Sequence, residues 1–168
     1  QGKTWGIIGL GNIGRRVAQI AETFGARVIY YSASHSKPQP GYCQVDLDTL
    51  LSQSDIISVH APLNPYTENL IDESCFEKMK SQCIFLNLGR GPIVVEEDLV
   101  KALEKGQIQA AGLDVLQEEP MSENSPFRGF KDSEKLLITP HIGWASVEAR
   151  TKLMDIIYHQ ILDFMKSK

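Results

Sequence analysis

No stretch of this chain stays apolar for the ~20 residues that a membrane-spanning helix needs, so no span is expected. Basic residues are not in excess: 17 Lys and Arg stand against 21 Asp and Glu, for a net charge of −4. That balance offers no electrostatic footprint for nucleic acid or for an anionic bilayer. Cysteine is scarce. Cys43, Cys75 and Cys83 are odd in number and lack metal-ligand spacing, so no metal is expected and they read as reduced structural thiols. Scarce, unpaired cysteine points to the cytoplasm. No signal peptide is visible, because Gln1-Gly2-Lys3-Thr4 runs straight into a strand. An initiator Met is also missing, which suggests one domain of a longer protein. Internal repeats and low-complexity tracts are absent. What is present is an ordinary globular composition: 168 residues, 42% hydrophobic, long enough for one sizeable core.

The most informative stretch is Gly9-Leu10-Gly11-Asn12-Ile13-Gly14. It follows an apolar run, residues 5–8, that reads as a strand. It precedes residues 15–24, which read as a helix with Val17, Ile20, Ala21 and Phe24 on one face. Strand, glycine turn and helix start together make a pyrophosphate site. Gly9 permits the tight turn, Gly11 lets a phosphate approach the backbone, and Gly14 lets the helix pack on the strand. The helix N–H groups and dipole then face the anion.

Beyond the turn, strands and helices alternate. Further strands are expected at 27–31, 55–60, 84–88, 110–115 and 136–139. Helices are expected at 47–52, 73–80, 96–105 and 147–165. Residues 32–42 and 117–135 read as polar, proline-bearing loops; the second is long enough to suggest a functional role. Trp5, Phe85 and Met154 are expected in the core, while His35 and His159 read as solvated. The fold class this predicts is α/β: a three-layer, doubly wound parallel sheet of Rossmann type, strand order 3-2-1-4-5-6. Residues 1–168 then form one dinucleotide-binding domain.

Ligands of such a sheet sit outside the carboxyl ends of its strands. That rim gathers Gly9 to Gly14, Ser32, His60-Ala61-Pro62, Gly89-Arg90-Gly91, Asp114, Glu118, Glu119 and His141. A guanidinium can grip a carboxylate in two places, an imidazole can exchange a hydroxyl proton near neutral pH, and a neighbouring carboxylate favours the imidazolium. Those are the needs of a dehydrogenase acting on a 2-hydroxy acid. His60 reads as a packing or backbone-orienting residue more than as a catalyst.

The sequence resembles the cofactor-binding domain of the D-isomer-specific 2-hydroxyacid dehydrogenases. The likeness is carried by Gly6-Ile7-Ile8-Gly9-Leu10-Gly11-Asn12-Ile13-Gly14, His60-Ala61-Pro62-Leu63, Asn87-Leu88-Gly89-Arg90-Gly91, Gly112-Leu113-Asp114-Val115 running to Glu119-Pro120, and Thr139-Pro140-His141-Ile142-Gly143-Trp144. Within that family His141-Ile142-Gly143-Trp144-Ala145 is similar to glycerate dehydrogenases and hydroxypyruvate reductases. The resemblance implies hydride transfer between a nicotinamide cofactor and a small D-2-hydroxy acid or 2-keto acid such as hydroxypyruvate or glyoxylate. It implies Arg90 as the substrate-binding group and Glu119 paired with His141 as acid/base. It implies cofactor contacts from Gly9, Gly11, Asn12, Ile13, Gly14, Tyr31, Ser32, His60, Ala61, Pro62, Thr67, Leu88, Gly89, Arg90, Asp114, His141 and Gly143, with Asp114 near the nicotinamide carboxamide. It also implies a homodimer and a second, substrate-binding domain outside this chain. Two other readings compete: a dinucleotide sensor of the same fold, similar to the C-terminal-binding corepressors, and a methyltransferase, which would not need the Arg, Glu and His.

One departure bears on the cofactor. Where NAD-preferring domains carry an acid after strand two, this chain has Tyr30-Tyr31-Ser32, and Asp46 lies well beyond. Ser32, Ser34, Ser36, Lys37 and His35 offer donors and cations there, so NAD or NADP is expected, with a lean toward NADP being accepted.

Overall fold

The computed structural model describes residues 1–34, 38–130 and 134–167. His35, Ser36 and Lys37, which entered the argument for NADP, lie outside the described residues. The strands are β1 (Thr4–Ile8), β2 (Arg27–Tyr31), β3 (Cys43–Gln44), β4 (Ile56–Val59), β5 (Ile84–Asn87), β6 (Ala110–Leu113) and β7 (Leu136–Ile138). The helices are α1 (Asn12–Thr23), α2 (Leu47–Gln53), α3 (Glu73–Lys78), α4 (Glu96–Glu104) and α5 (Val147–Lys166).

All seven strands form one parallel sheet in the order β3-β2-β1-β4-β5-β6-β7. The expected order 3-2-1-4-5-6 is present and runs on to a seventh strand. Its third position is held by Cys43–Gln44, which pairs with Ile29 and Tyr30. Residues 55–60, read as the third strand, supply the fourth and lie on the far side of β1. Two residues are too short to leave a periodic pattern, so β3 was invisible in the sequence. The chain therefore reverses direction across the sheet between β1 and β4, and a crevice opens at the carboxyl ends of those two strands.

Side chains alternate across the sheet as the pleat requires. Ile8, Ile29, Ile57, Val59 and Phe85 join the larger core with Leu50, Phe76 and Leu99 from α2, α3 and α4. Phe76 meets Phe85 edge-on at 5.6 Å. Ile7, Val28 and Tyr30 face the other way and pack on Ala18 and Ala21 of α1. The buried face of α1 is thus Gly14, Ala18 and Ala21. Ile20 and Phe24, expected on that face, are 50% and 76% exposed. The helix lies so close to the sheet that small residues fill the contact: a Cβ at Gly14 would collide with the Gly9 carbonyl oxygen.

Local signals start the helices. Asp46 caps α2 through the Thr49 N–H, Asp72 caps α3 through the Cys75 N–H, and Ser146 caps α5 through the Ala149 N–H. Glu96, Glu97 and Asp98 stand in the first turn of α4, where the helix dipole favours negative charge. The 20-residue α5 has no buried residue, and Met154, expected in the core, is 63% exposed. Among the described residues no helix is long and apolar enough to cross a membrane.

Candidate functional site

The glycine turn sits at the sheet's reversal point. Gly9 adopts φ +94°, and a Cβ there would lie 2.6 Å from the Ala61 nitrogen. Its N–H donates to the Tyr31 carbonyl at 2.9 Å, tying the turn to β2. At Gly11 the space around a would-be Cβ is open. Gly11 is also the N-cap of α1 and caps it with no side chain, and no acidic residue stands in the first turn. The first-turn N–H groups thus stay available to an anion, and this cradle fits a dinucleotide's pyrophosphate.

A cleft of about 350 Å³ runs from this turn toward β2. Gly9, Leu10, Gly11, Arg15, Tyr30, Ser32, Ser34, Gln39, His60 and Pro62 line it. Five expected cofactor residues therefore come together: Gly9, Gly11, Ser32, His60 and Pro62. Arg15 and Gln39 were missed. The signal for Arg15 was its spacing, since Gly11 and Arg15 stand four apart on one helix face. Tyr31 lines a neighbouring cleft with Ser32, Gln44, Val45, Asp46 and Thr49. Asn12 accepts from Arg15 Nη2 at 2.7 Å, and Ile13 projects 66% exposed beside the turn.

His60 is held by a short relay. Trp5 Nε1 donates to Ser58 Oγ at 2.9 Å, and that oxygen lies 3.1 Å from His60 Nε2. Burial drives the His60 pKa down to about 4, so the ring is neutral at physiological pH. Ala61 and Thr67 do not line this cleft. Ala61 is buried against Gly9. Thr67 is 1% exposed, and its hydroxyl donates to the Pro62 carbonyl at 2.7 Å while accepting from the Asn64 N–H. It is engaged within its own loop.

Arg90 follows β5. The buried Asn87 organises this turn: its Oδ1 accepts from the Gly89 N–H and its Nδ2 donates to the Arg90 carbonyl, both at 3.1 Å. Arg90 Nη1 donates to the Gly89 carbonyl at 2.7 Å, and the guanidinium lies exposed on the rim beside Leu88. Gly91 is required here because a Cβ would collide with the Leu116 carbonyl.

Two strands along, the remaining groups meet. His141 Nδ1 lies 2.8 Å from Glu119 Oε2, each side chain 36% exposed. Glu119 Oε1 accepts from the Leu116 N–H at 2.9 Å. Partial burial raises the Glu119 pKa, but the His141 ring and the Leu116 N–H outweigh it and hold the carboxyl below its usual value. His141 has φ +52°, a left-handed backbone that something must fix. Asp114 does so. Its Oδ1 accepts from the Thr139 hydroxyl at 2.6 Å and the Ile142 N–H at 2.9 Å, and its Oδ2 accepts from the Gly143 N–H at 2.8 Å. Burial raises the Asp114 pKa, and those three donors more than reverse it. Asp114, Glu119 and His141 share a cleft of about 530 Å³ with Leu116, Pro120, Met121, Ile138, Thr139 and Pro140. Arg90 stands on the same rim but outside that lining. Glu118 faces elsewhere, into a cleft shared with Glu96 and Glu97. Among the described residues no group of three or more His, Cys, Asp or Glu is placed to hold a metal ion.

Fold and glycine turn define the class, a doubly wound dinucleotide-binding domain. The chain belongs to the D-isomer specific 2-hydroxyacid dehydrogenase family, whose NAD binding domain residues 1–143 match. It is 45% identical over 167 residues to a hydroxypyruvate reductase of Blautia hydrogenotrophica, covering 98% of this chain and 51% of that protein. A D-lactate dehydrogenase of Aquifex aeolicus, solved with NAD and lactic acid, superposes with a TM-score of 0.90 at 28% identity, over 98% of this chain and 54% of that one. An acyclic imino acid reductase solved with NADPH and D-Arg superposes at 0.89 with 35% identity, over 100% of this chain and 52% of that one. The chain thus spans about half the length of the relatives it matches.

Proposed function

We propose that this chain is the cofactor-binding half of a dehydrogenase that interconverts small D-2-hydroxy acids and 2-keto acids, with hydroxypyruvate and glyoxylate as the first substrates to try. The observation that carries the reading is the 2.8 Å pair of His141 and Glu119 on the same strand-end rim as the glycine turn.

When bound, a nicotinamide dinucleotide supplies or accepts the hydride. The chain's residues do the rest. The open N–H groups after Gly11 hold the pyrophosphate. The Arg90 guanidinium, one nitrogen anchored on the Gly89 carbonyl, presents its remaining donors to the substrate carboxylate. The Glu119 carboxylate holds His141 through Nδ1, which leaves Nε2 to give a proton to the carbonyl oxygen in reduction and to take it back in oxidation. Asp114 keeps the turn around His141 in place through three hydrogen bonds, and this is the role we give it in preference to direct contact with the nicotinamide. A substrate domain outside this chain would close the cleft and exclude water, and pairing of two copies would complete a homodimer.

The solved relatives bind NAD in one case and NADPH in the other, so the test uses both. Full-length protein is given hydroxypyruvate, glyoxylate and pyruvate with each reduced cofactor, and cofactor oxidation is followed by absorbance. We expect turnover of at least one 2-keto acid, reduced ~10²-fold or more in Arg90→Lys, which keeps charge but loses the planar fork. Cofactor binding without turnover of any 2-keto acid would favour a dinucleotide sensor instead.

A further inference from the structure

We propose that Arg15 reads the adenosine 2′ position of the cofactor, taking the 2′-phosphate of NADPH together with the hydroxyls of Ser32 and Ser34. The proposal rests on the reading of this cleft as the dinucleotide site, and it names a specificity-determining residue that the glycine fingerprint does not include.

Arg15 is exposed in the first turn of α1 and lines the cleft from the helix side. Ser32 and Ser34 line it from the β2 side, their Oγ atoms 3.1 Å apart, close enough for one phosphate to meet both. The guanidinium carries five N–H donors. Its recorded bond runs from Nη2 to the neutral Asn12 Oδ1 at 2.7 Å. Among the described residues no carboxylate pairs with Arg15. Among the described residues the lining holds no Asp or Glu, and His60 is neutral, so Arg15 gives this lining a positive charge. A dianionic phosphate matches that charge, and an Arg fork can bind it in two places.

The acid that would oppose this is turned away. Asp46 lies across Ser32 in the neighbouring cleft. Its Oδ1 accepts from the Thr49 N–H at 2.7 Å and its Oδ2 from the Thr49 hydroxyl at 2.8 Å. Both oxygens are thus committed to the cap of α2, and Asp46 does not stand in for the ribose-binding acid that Ser32 replaces.

Equilibrium binding of NADPH and NADH, measured by fluorescence with the wild type and Arg15→Gln, tests the assignment. The two nucleotides 2′,5′-ADP and 5′-AMP serve as competing probes. We expect Arg15→Gln to weaken NADPH and 2′,5′-ADP by about tenfold or more, near 1.4 kcal/mol, and NADH and 5′-AMP by less than about twofold. Ser32→Asp, which restores an acid from the opposite wall, should produce the same selective loss. Equal weakening of both dinucleotides would place Arg15 on the pyrophosphate and overturn the proposal. So would unchanged binding of all four ligands. If the wild type binds neither dinucleotide, the dinucleotide reading itself fails, a result distinct from either of these.

Discussion

The Glu119 carboxylate meets the Leu116 N–H on one oxygen and the His141 ring on the other, at 2.9 and 2.8 Å. Those bonds lower its pKa against the opposing effect of partial burial, so it stays ionised across the neutral range. A depressed carboxyl contributes stability above its unfolded pKa, and loses it as pH falls through the folded one. Glu119→Gln, which keeps the shape but loses the carboxylate that holds His141 Nδ1, should lower kcat/KM for keto-acid reduction about tenfold or more, while Glu118→Gln, which faces a different cleft, should leave it unchanged. A loss with Glu118→Gln alone would move the assignment by one residue. At this scale the sequence was readable where residue type is tied to geometry. Gly9 and Gly91 stand where a Cβ would strike Ala61 or Leu116. It was less readable where one type serves two ends. Thr67, expected at the cofactor, has its hydroxyl bonded within its own loop, and Arg15, which lines the cleft, was not among the expected residues.

Elements were legible in proportion to their length and burial. The strands buried on both faces, such as β1 and β4, stood out as apolar runs bounded by turns. The two-residue β3 did not, because its position is set by pairing with Ile29 and Tyr30 and not by a pattern of its own. The face of α1 was misread because large apolar residues were taken as core. In fact the close helix–sheet approach selects Gly14, Ala18 and Ala21, and leaves Ile20 and Phe24 outside. α5 reads as a good apolar helix, yet it buries no residue against the sheet. Its removal should thus cost this domain little. Residues 1–146 should unfold in urea within about 1 kcal/mol of residues 1–168, because few buried contacts are lost. A loss of several kcal/mol would show that α5 packs on the sheet in solution.

On the scale of the molecule, the parallel sheet brings the carboxyl ends of β1, β2 and β4 together at one end of the crevice and those of β5, β6 and β7 at the other. The first set carries the glycine turn, Ser32 and His60, and the second carries Arg90, Asp114 and His141. The glycine turn and the His141–Glu119 pair are thus laid along one rim. Residues 1–168 alone should bind a reduced nicotinamide dinucleotide in calorimetry yet turn over keto acids very slowly, because water stays in an unclosed cleft. Hydride transfer itself is tested most directly with isotope. Full-length protein would reduce hydroxypyruvate or glyoxylate with a nicotinamide cofactor carrying deuterium at the transferable C4 position. Deuterium is expected on C2 of the hydroxy acid product, in proportion to cofactor oxidised, and is expected to fall in step with activity in His141→Ala. Product formed without deuterium at C2, or deuterium released to water, would contradict hydride transfer.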